Sequence, residues 1–453
     1  MAVSQNFTKG RIFGPLVRFT GPLLLALFLQ TMYGAVDMMV VGRFATAADV
    51  SAVSTGSWIT AIITSIVVGI AMGTTVLLGR RIGEGRPEEG GKIIGASVVL
   101  FGVLAVVLTV LIELLAVPFA RLLQTPEEAF EPTLQYMRIC AAGTVFIAAY
   151  NVLGSIFRGI GNSTVPLLTV AIACGVNIAG DLLLCGVFRM AAAGAAIATV
   201  AAQAVSVVLS LLLVRRRNLG FTFRPKEDIR ADRALMGQVF RLGLPIAFQD
   251  ILVSISFMGI TAIVNSLGVI ASAGVGVAER LCGFIMLVPS AFSQAMSAFV
   301  AQNMGAGQPR RARQALLCGV SASFAVGVVM FLLAFFCGDV LSTLFTNDPT
   351  VIAASADYLK SYAIDCLLVA FMFCMTGYFS GCGQTTFVMI QGIIGSFLVR
   401  LPVSFLMAQI QPTSLFLVGL ATPCSSFVQI LLCGTFFFIL LKKEKQGALS
   451  LQV

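Results

Sequence analysis

Two carboxylates stand inside otherwise apolar runs in the first half of this chain. Asp37 sits late in FTGPLLLALFLQTMYGAVDMMVVGRF (Phe19–Phe44), and Asp181 closes NIAGD (Asn177–Asp181). An apolar run of the first kind is long enough to cross a bilayer. An acid at the bilayer centre costs roughly 2.5–3.5 kcal/mol even on the mild insertion scale, so it marks function by default. Gln30, Tyr33 and Asp37 recur at helical spacing and share one face. Asn177 precedes Asp181 by one helical turn, and Thr199, Gln203, Ser206 and Ser210 make a polar stripe along the next apolar run. Carboxylates, an amide oxygen and a hydroxyl are hard oxygen ligands suited to a small cation. Two carboxylates in a low dielectric do not comfortably carry charge together, so a proton or Na⁺ between them stabilises the pair. The cation-coupling set read from the residues is therefore Asp37, Asn177, Asp181 and Thr199, with Na⁺ as the one metal that it would hold. The plainer readings are an Asp37 that snorkels toward the outer headgroups, and an Asn177 and Thr199 that only stitch helices together.

The elements that must position these groups are helices. The 453-residue chain is 58% hydrophobic and 11% charged, where a soluble protein carries about 25% charged residues. Its apolar blocks predict an all-α integral membrane protein with about twelve spans. They lie near 16–42, 50–78, 93–117, 133–157, 165–188, 192–214, 238–263, 270–300, 314–337, 355–379, 386–408 and 414–441. Residues 1–10 are polar and Phe19 onward is too long for a signal core, so no cleavable leader is expected.

The net charge is +9, concentrated in short loops. Arg80, Arg81, Arg86 and Lys92 follow span 2, Arg158 follows span 4, and Arg215 to Arg233 follow span 6. Arg310, Arg311 and Arg313 follow span 8, and Lys442, Lys443 and Lys445 end the chain. By the positive-inside rule these loops and both termini are cytoplasmic, which places the protein in the cell membrane with multiple passes. The basic connector is read as a topology signal and not as a nucleic-acid site. The eleven Cys show neither metal-ligand spacing nor a secreted disulfide pattern. With no His at all, proton chemistry must run on Asp or Glu. No phosphate loop and no nucleophile elbow occur, so no enzyme and no cofactor are expected.

The chain also repeats itself. RIGEGRPEE (Arg81–Glu89) resembles NMGAGQPRR (Asn303–Arg311), and FRGIGNST (Phe157–Thr164) resembles FSGCGQTT (Phe379–Thr386), both 222 positions apart. Tyr136 aligns with Tyr358 at the same offset, while Arg18 and Pro22 match Arg241 and Pro245 at 223. Two pseudo-symmetric six-helix lobes, 12–217 and 236–442, follow, joined by a basic cytoplasmic connector at 218–235. Six spans per half make the halves parallel repeats, an architecture common in secondary transporters, whose sites lie between repeats. In the second half Phe284, Met286, Phe371 and Met375 offer soft apolar surface suited to varied amphiphiles, with ordinary lipid or core packing as the plainer reading. Asp250, Asp365, Glu279, Arg280 and Arg400 also lie in apolar context, with ion pairing as their alternative role.

MYGAVDMMVVGR, NIAGD, GAAIAT (Gly194–Thr199) and the paired Gly-rich loops together resemble the multidrug and toxic compound extrusion (MATE) family over nearly the whole chain. The Asn177–Asp181 spacing resembles that of the DinF-like branch. The resemblance implies that Asp37, Asn177, Asp181 and Thr199 are the cation site of the N-terminal lobe, with Tyr33 and Asn151 in the neighbouring cavity beside Gln30 and Gln203. The NorM-like branch places further acids in the second half; here Asp250 falls early in span 7 and Val369 stands at the span 10 position. The function implied is cation-coupled (H⁺ or Na⁺) antiport, exporting amphiphilic, often cationic organic compounds across the bilayer by alternating access, in a monomer. The alternative is a lipid-linked saccharide flippase of the same superfamily. That class lines its cavity with several Arg or Lys, whereas the spans here carry mainly Arg280 and Arg400. A major-facilitator loop after span 2 does not match GRRIGEGRPEEG, and a channel would use rings of like charge.

Overall fold

The structure, a computed structural model, describes residues 6–216, 223–410, 412 and 414–445. Arg217 and the first part of the connector lie outside the described residues. The helices in chain order are α1 (Phe13–Phe44), α2 (Ala47–Gly83), α3 (Gly90–Leu122), α4 (Glu127–Ala142), α5 (Thr144–Ile160) and α6 (Thr164–Asp181). There follow α7 (Ala191–Arg216), the short α8 (Pro225–Asp228), α9 (Arg233–Asn265), α10 (Val269–Ile285), α11 (Leu287–Gly305) and α12 (Pro309–Phe336). The last are α13 (Gly338–Ser342), α14 (Pro349–Gly381), α15 (Thr385–Ile393), α16 (Leu401–Ala408), α17 (Leu415–Gly419) and α18 (Ala421–Lys445). Two π-helical segments interrupt them, Leu182–Val187 after α6 and Ile394–Arg400 between α15 and α16. The described residues contain no strand.

Among the described residues eleven helical runs are long and apolar enough to cross a membrane, and the bent pair α4–α5 makes a twelfth. The chain is thus an all-α multi-pass membrane protein. Span 4, expected as one run over 133–157, is two helices that meet at 49°. The bend falls at Gly143, where the missing side chain lets α7 approach closely: an added Cβ would stand 2.3 Å from the Val200 side chain. Span 8 divides into α10 and α11 near Met286. Pro289, which lacks an N–H to give the carbonyl four residues back, marks that break.

Local signals in the sequence explain the helix ends. Thr46 caps α2 reciprocally with Asp49: the Asp49 amide donates to Thr46 Oγ1, and the Thr46 amide donates to Asp49 Oδ2. Asn162 Oδ1 accepts from the Thr164 and Val165 amides and so starts α6. The repeated loops share backbone conformation as well as sequence. Gly85 and Gly307 have φ of +76° and +67°, and Gly161 and Gly383 have +85° and +80°. Only glycine enters that left-handed region without strain.

The chain forms two compact units. The first comprises Gly21–Ala247 with the loop Gly305–Gly307, and the second comprises Gly10–Thr20, Phe248–Met304 and the residues from Gln308 onward. Within the first unit, α2 and the beginning of α9 meet backbone to backbone. A Cβ on Gly73 would lie 2.2 Å from the Val239 carbonyl oxygen, and one on Gly243 would lie 2.4 Å from Ile70 Cα. Small residues allow such close crossings in the absence of a hydrophobic drive between helices. Within the second unit, Tyr358, Leu359, Cys366 and Ile260 anchor a core built from α9, α10 and α14.

Candidate functional site

α1, α6 and α7 bring the four predicted ligating residues together in the first unit. Asp37, Asn177, Asp181 and Thr199 are all buried. Thr199 Oγ1 donates to Asp37 Oδ2 at 3.0 Å, and Asn177 Nδ2 reaches Thr199 Oγ1 at 3.4 Å. Asp181 is the carboxyl neighbour of Asp37. Asp37 Oδ1, Asn177 Oδ1 and both Asp181 oxygens are buried without a hydrogen-bond donor among the described residues. Four oxygens gathered in this way need a proton or a cation, because a buried charged group without a partner is expensive. Asp37 therefore faces its helical neighbours rather than snorkelling.

The helices reach this point for identifiable reasons. The Gln30–Tyr33–Asp37 face of α1 turns inward as its spacing predicts. α6 ends at Asp181 and passes directly into the π segment Leu182–Val187. A π turn widens the helix locally and recurs at functional sites. Behind the acids stands an apolar wall that includes Val41, Val53, Tyr136, Cys140, Cys185 and Ala195.

A second polar line runs on from Asp37. Tyr33 lies beside Gln203 and within the field of Asp37. Gln30 donates to the hydroxyl of Tyr150, which in turn neighbours Tyr33 and Arg158. Tyr150 is the residue that the sequence reading missed. It was legible only as an aromatic in an apolar run, and its neighbour Asn151 was chosen instead. Asn151 is half-buried and donates from Nδ2 to the Ile147 carbonyl of its own helix at 2.8 Å.

Phe284, Met286, Phe371 and Met375 all fall in the second unit. Met286 packs against the second-unit core, and Phe371 meets Phe324 edge to face at 5.5 Å. A narrow crevice in this unit is lined by Ile285, Pro289, Met330, Cys366 and Val369 among others, and none of the four predicted residues lines it. Arg280 is exposed, and Glu279 neighbours Thr261. Asp250 is half-buried on α9. No group of three or more Cys, Asp or Glu suited to a metal ion occurs among the described residues. The oxygen cluster of α1, α6 and α7 has two acids only.

An all-helical, multi-pass membrane protein with an internal repeat has an architecture common among transporters. The MatE family model matches residues 22–183 and again 245–406, and the chain belongs to that family of multidrug extrusion transporters. It is 25% identical to the probable multidrug resistance protein YoeA of Bacillus subtilis (strain 168), over 98% of this chain and 97% of the relative. It is 28% identical to a protein of Shewanella oneidensis described as an FAD transporter, over 76% of each. Among solved structures, a MATE in complex with MaL6 superimposes with TM-score 0.92 at 19% identity, covering 98% of this chain and 100% of that one. The outward-facing conformation of a multidrug resistance MATE family transporter superimposes with TM-score 0.91 at 19% identity, covering 98% and 99%.

Proposed function

We propose that the chain is a cation-coupled antiporter that exports amphiphilic organic compounds, with H⁺ or Na⁺ entering at Asp37, Asn177, Asp181 and Thr199. The observation that carries this reading is the set of four donorless oxygens around the Asp37–Thr199 hydrogen bond. A cation arriving from outside neutralises the two carboxylates and draws α1, α6 and α7 together. α1 has places to yield: Pro22 interrupts its hydrogen-bond ladder, and an added Cβ on Gly34 would meet nothing within 4 Å. Repacking of α1 narrows the first-lobe cavity along Tyr33, Gln30 and Gln203 and expels the substrate. Release of the cation inside resets it.

Alternating access is proposed as rocking of residues 12–217 against 236–442, with both termini cytoplasmic. The multidrug names of the relatives support an amphiphilic substrate. The relative described as an FAD transporter supports a substrate range that is not restricted to cations, since FAD carries a negatively charged diphosphate. The test is efflux of ethidium from proteoliposomes under H⁺ and Na⁺ gradients imposed separately. Efflux that follows one or both gradients is the expected result. Efflux indifferent to both, driven only by the dye's own gradient, would sink the coupling.

A further inference from the structure

The two halves correspond at a nearly constant offset, and the second-half counterparts of the cation set carry the opposite charge. The family matches start at 22 and 245 and end at 183 and 406, an offset of 223 at both ends. At that offset Asn177 pairs with Arg400, Asp181 with Ser404, Thr199 with Thr422, and Asp37 with Ile260. The sequence keeps that register past the π segments of both halves, since Ile197–Thr199 (IAT) matches Leu420–Thr422 (LAT) at 223.

Packing agrees with the register. Val41, Tyr136 and Ala195 form part of the wall behind Asp37. Their counterparts Val264, Tyr358 and Val418 belong to the second-unit core, and so does Ile260. Tyr136 lies in the field of Asp37, and Tyr358 lies in the field of Arg400.

Two acids and an amide have thus become an isoleucine, a hydroxyl and a guanidinium. Arg400 is only 5% exposed. Its guanidinium lies over the Phe257 ring at 4.4 Å, yet Nε and Nη1 have no hydrogen-bond partner. The hydroxyls of Ser404 and Thr422 are buried and equally unpartnered. Asp365 is the acid whose field reaches Arg400. It neighbours Ser426, keeps its own Oδ1 unpartnered, and makes no direct ion pair with Arg400 among the described residues. A guanidinium with spare donors in a fixed fork matches a carboxylate or phosphate, and the hydroxyls supply further donors.

We propose that Arg400, with Ser404 and Thr422, forms a subsite in the second half that binds an anionic group, carboxylate or phosphate, of the transported compound. Asp365 competes for Arg400 while the subsite is empty. The inference rests on the export reading, because alternating access is what brings a substrate to a site this buried.

Riboflavin and flavin mononucleotide share a ring system and differ by one phosphate, so their affinities for the purified full-length protein, read by fluorescence anisotropy, isolate the anionic contact. The parent should prefer flavin mononucleotide by about tenfold, which is about 1.4 kcal/mol. Arg400→Gln should erase the preference, and Arg400→Lys should keep part of it. Thr422→Val and Ser404→Ala, milder changes, should narrow it. Asp365→Asn should widen it, because a competing charge is removed.

A parent that shows no preference, or binds neither flavin, overturns the subsite. So do Arg400→Gln and Asp365→Asn shifting the ratio in the same direction, the mark of a purely structural pair. Ethidium efflux under imposed gradients is measured separately. Loss of gradient dependence there removes the coupling and leaves the flavin ratio readable, while coupled efflux without a flavin preference removes the subsite alone.

Discussion

Thr199 and Asp37 are 162 positions apart in sequence, and the hydroxyl of one donates to the carboxylate of the other at 3.0 Å inside the protein. The bond ties α7 to α1 at the point where the acids gather. A hydrogen bond to a charged group contributes about 1.5–3 kcal/mol. Thr199→Val keeps the volume and removes the donor. The cation concentration that half-saturates efflux should rise about tenfold or more, and Thr199→Ser should restore most of it. The measurement is efflux rate against external Na⁺ or H⁺ at matched expression.

The acids themselves make a sharper prediction. Asp37→Asn and Asp181→Asn mimic a protonated carboxyl at constant volume, so both should insert and fold. Each should abolish gradient-driven efflux, because an amide cannot take up and release the coupling cation. Glu113→Gln provides the comparison: its carboxylate pairs at 3.7 Å with Arg138, both partners are largely exposed, and efflux should stay close to that of the parent. Efflux by Asp37→Asn equal to the parent under imposed ΔpH and ΔpNa would show that the oxygen cluster is not the coupling site.

Orientation is tested independently of transport. The basic connector predicts a cytoplasmic position for Gly220, which lies outside the described residues, and an external one for Asn347, between α13 and α14. In a background without reactive native Cys, an impermeant thiol reagent added to intact cells should label Asn347→Cys and not Gly220→Cys. The reverse pattern would invert the topology.

The crossing of α2 with the beginning of α9 predicts a stability effect with its own control. The Cβ introduced by Gly73→Ala or Gly243→Ala would run into backbone at 2.2 Å and 2.4 Å, so the helices must part. Overpacking of this kind costs about 1–3 kcal/mol, read as a lower melting temperature in detergent. Gly434→Ala, in α18 with nothing within 4 Å of the added carbon, should melt at or slightly above the parent.

Most of the architecture was legible in the chain because a bilayer leaves few choices. Backbone groups in lipid must bond within their own segment, so apolar blocks of the right length become helices whatever surrounds them. Eleven spans and a bent twelfth follow the apolar blocks closely. The repeat was legible because its loops need left-handed glycines at fixed places, Gly85 with Gly307 and Gly161 with Gly383. The oxygen cluster was legible because acids in apolar runs are rare, and Asp37 and Asp181 drew attention by cost alone. The close approach of Val200 to Gly143 was not, since it brings together residues from helices distant in sequence.

Tertiary structure alone decided which polar groups find partners. Asn151 and Tyr150 are adjacent in an apolar segment, and composition does not tell them apart. Packing turned Tyr150 toward Gln30 and left Asn151 bonded to its own helix. Arg400 looked like one more intramembrane charge to be neutralised by a nearby acid. The folded chain holds it over Phe257 instead, with two donors unspent. The physical reason is the same in both cases. A helix satisfies its backbone locally and is written locally, whereas a side-chain hydrogen bond is satisfied by whichever helix packs beside it, and the sequence records that neighbour only through the fold.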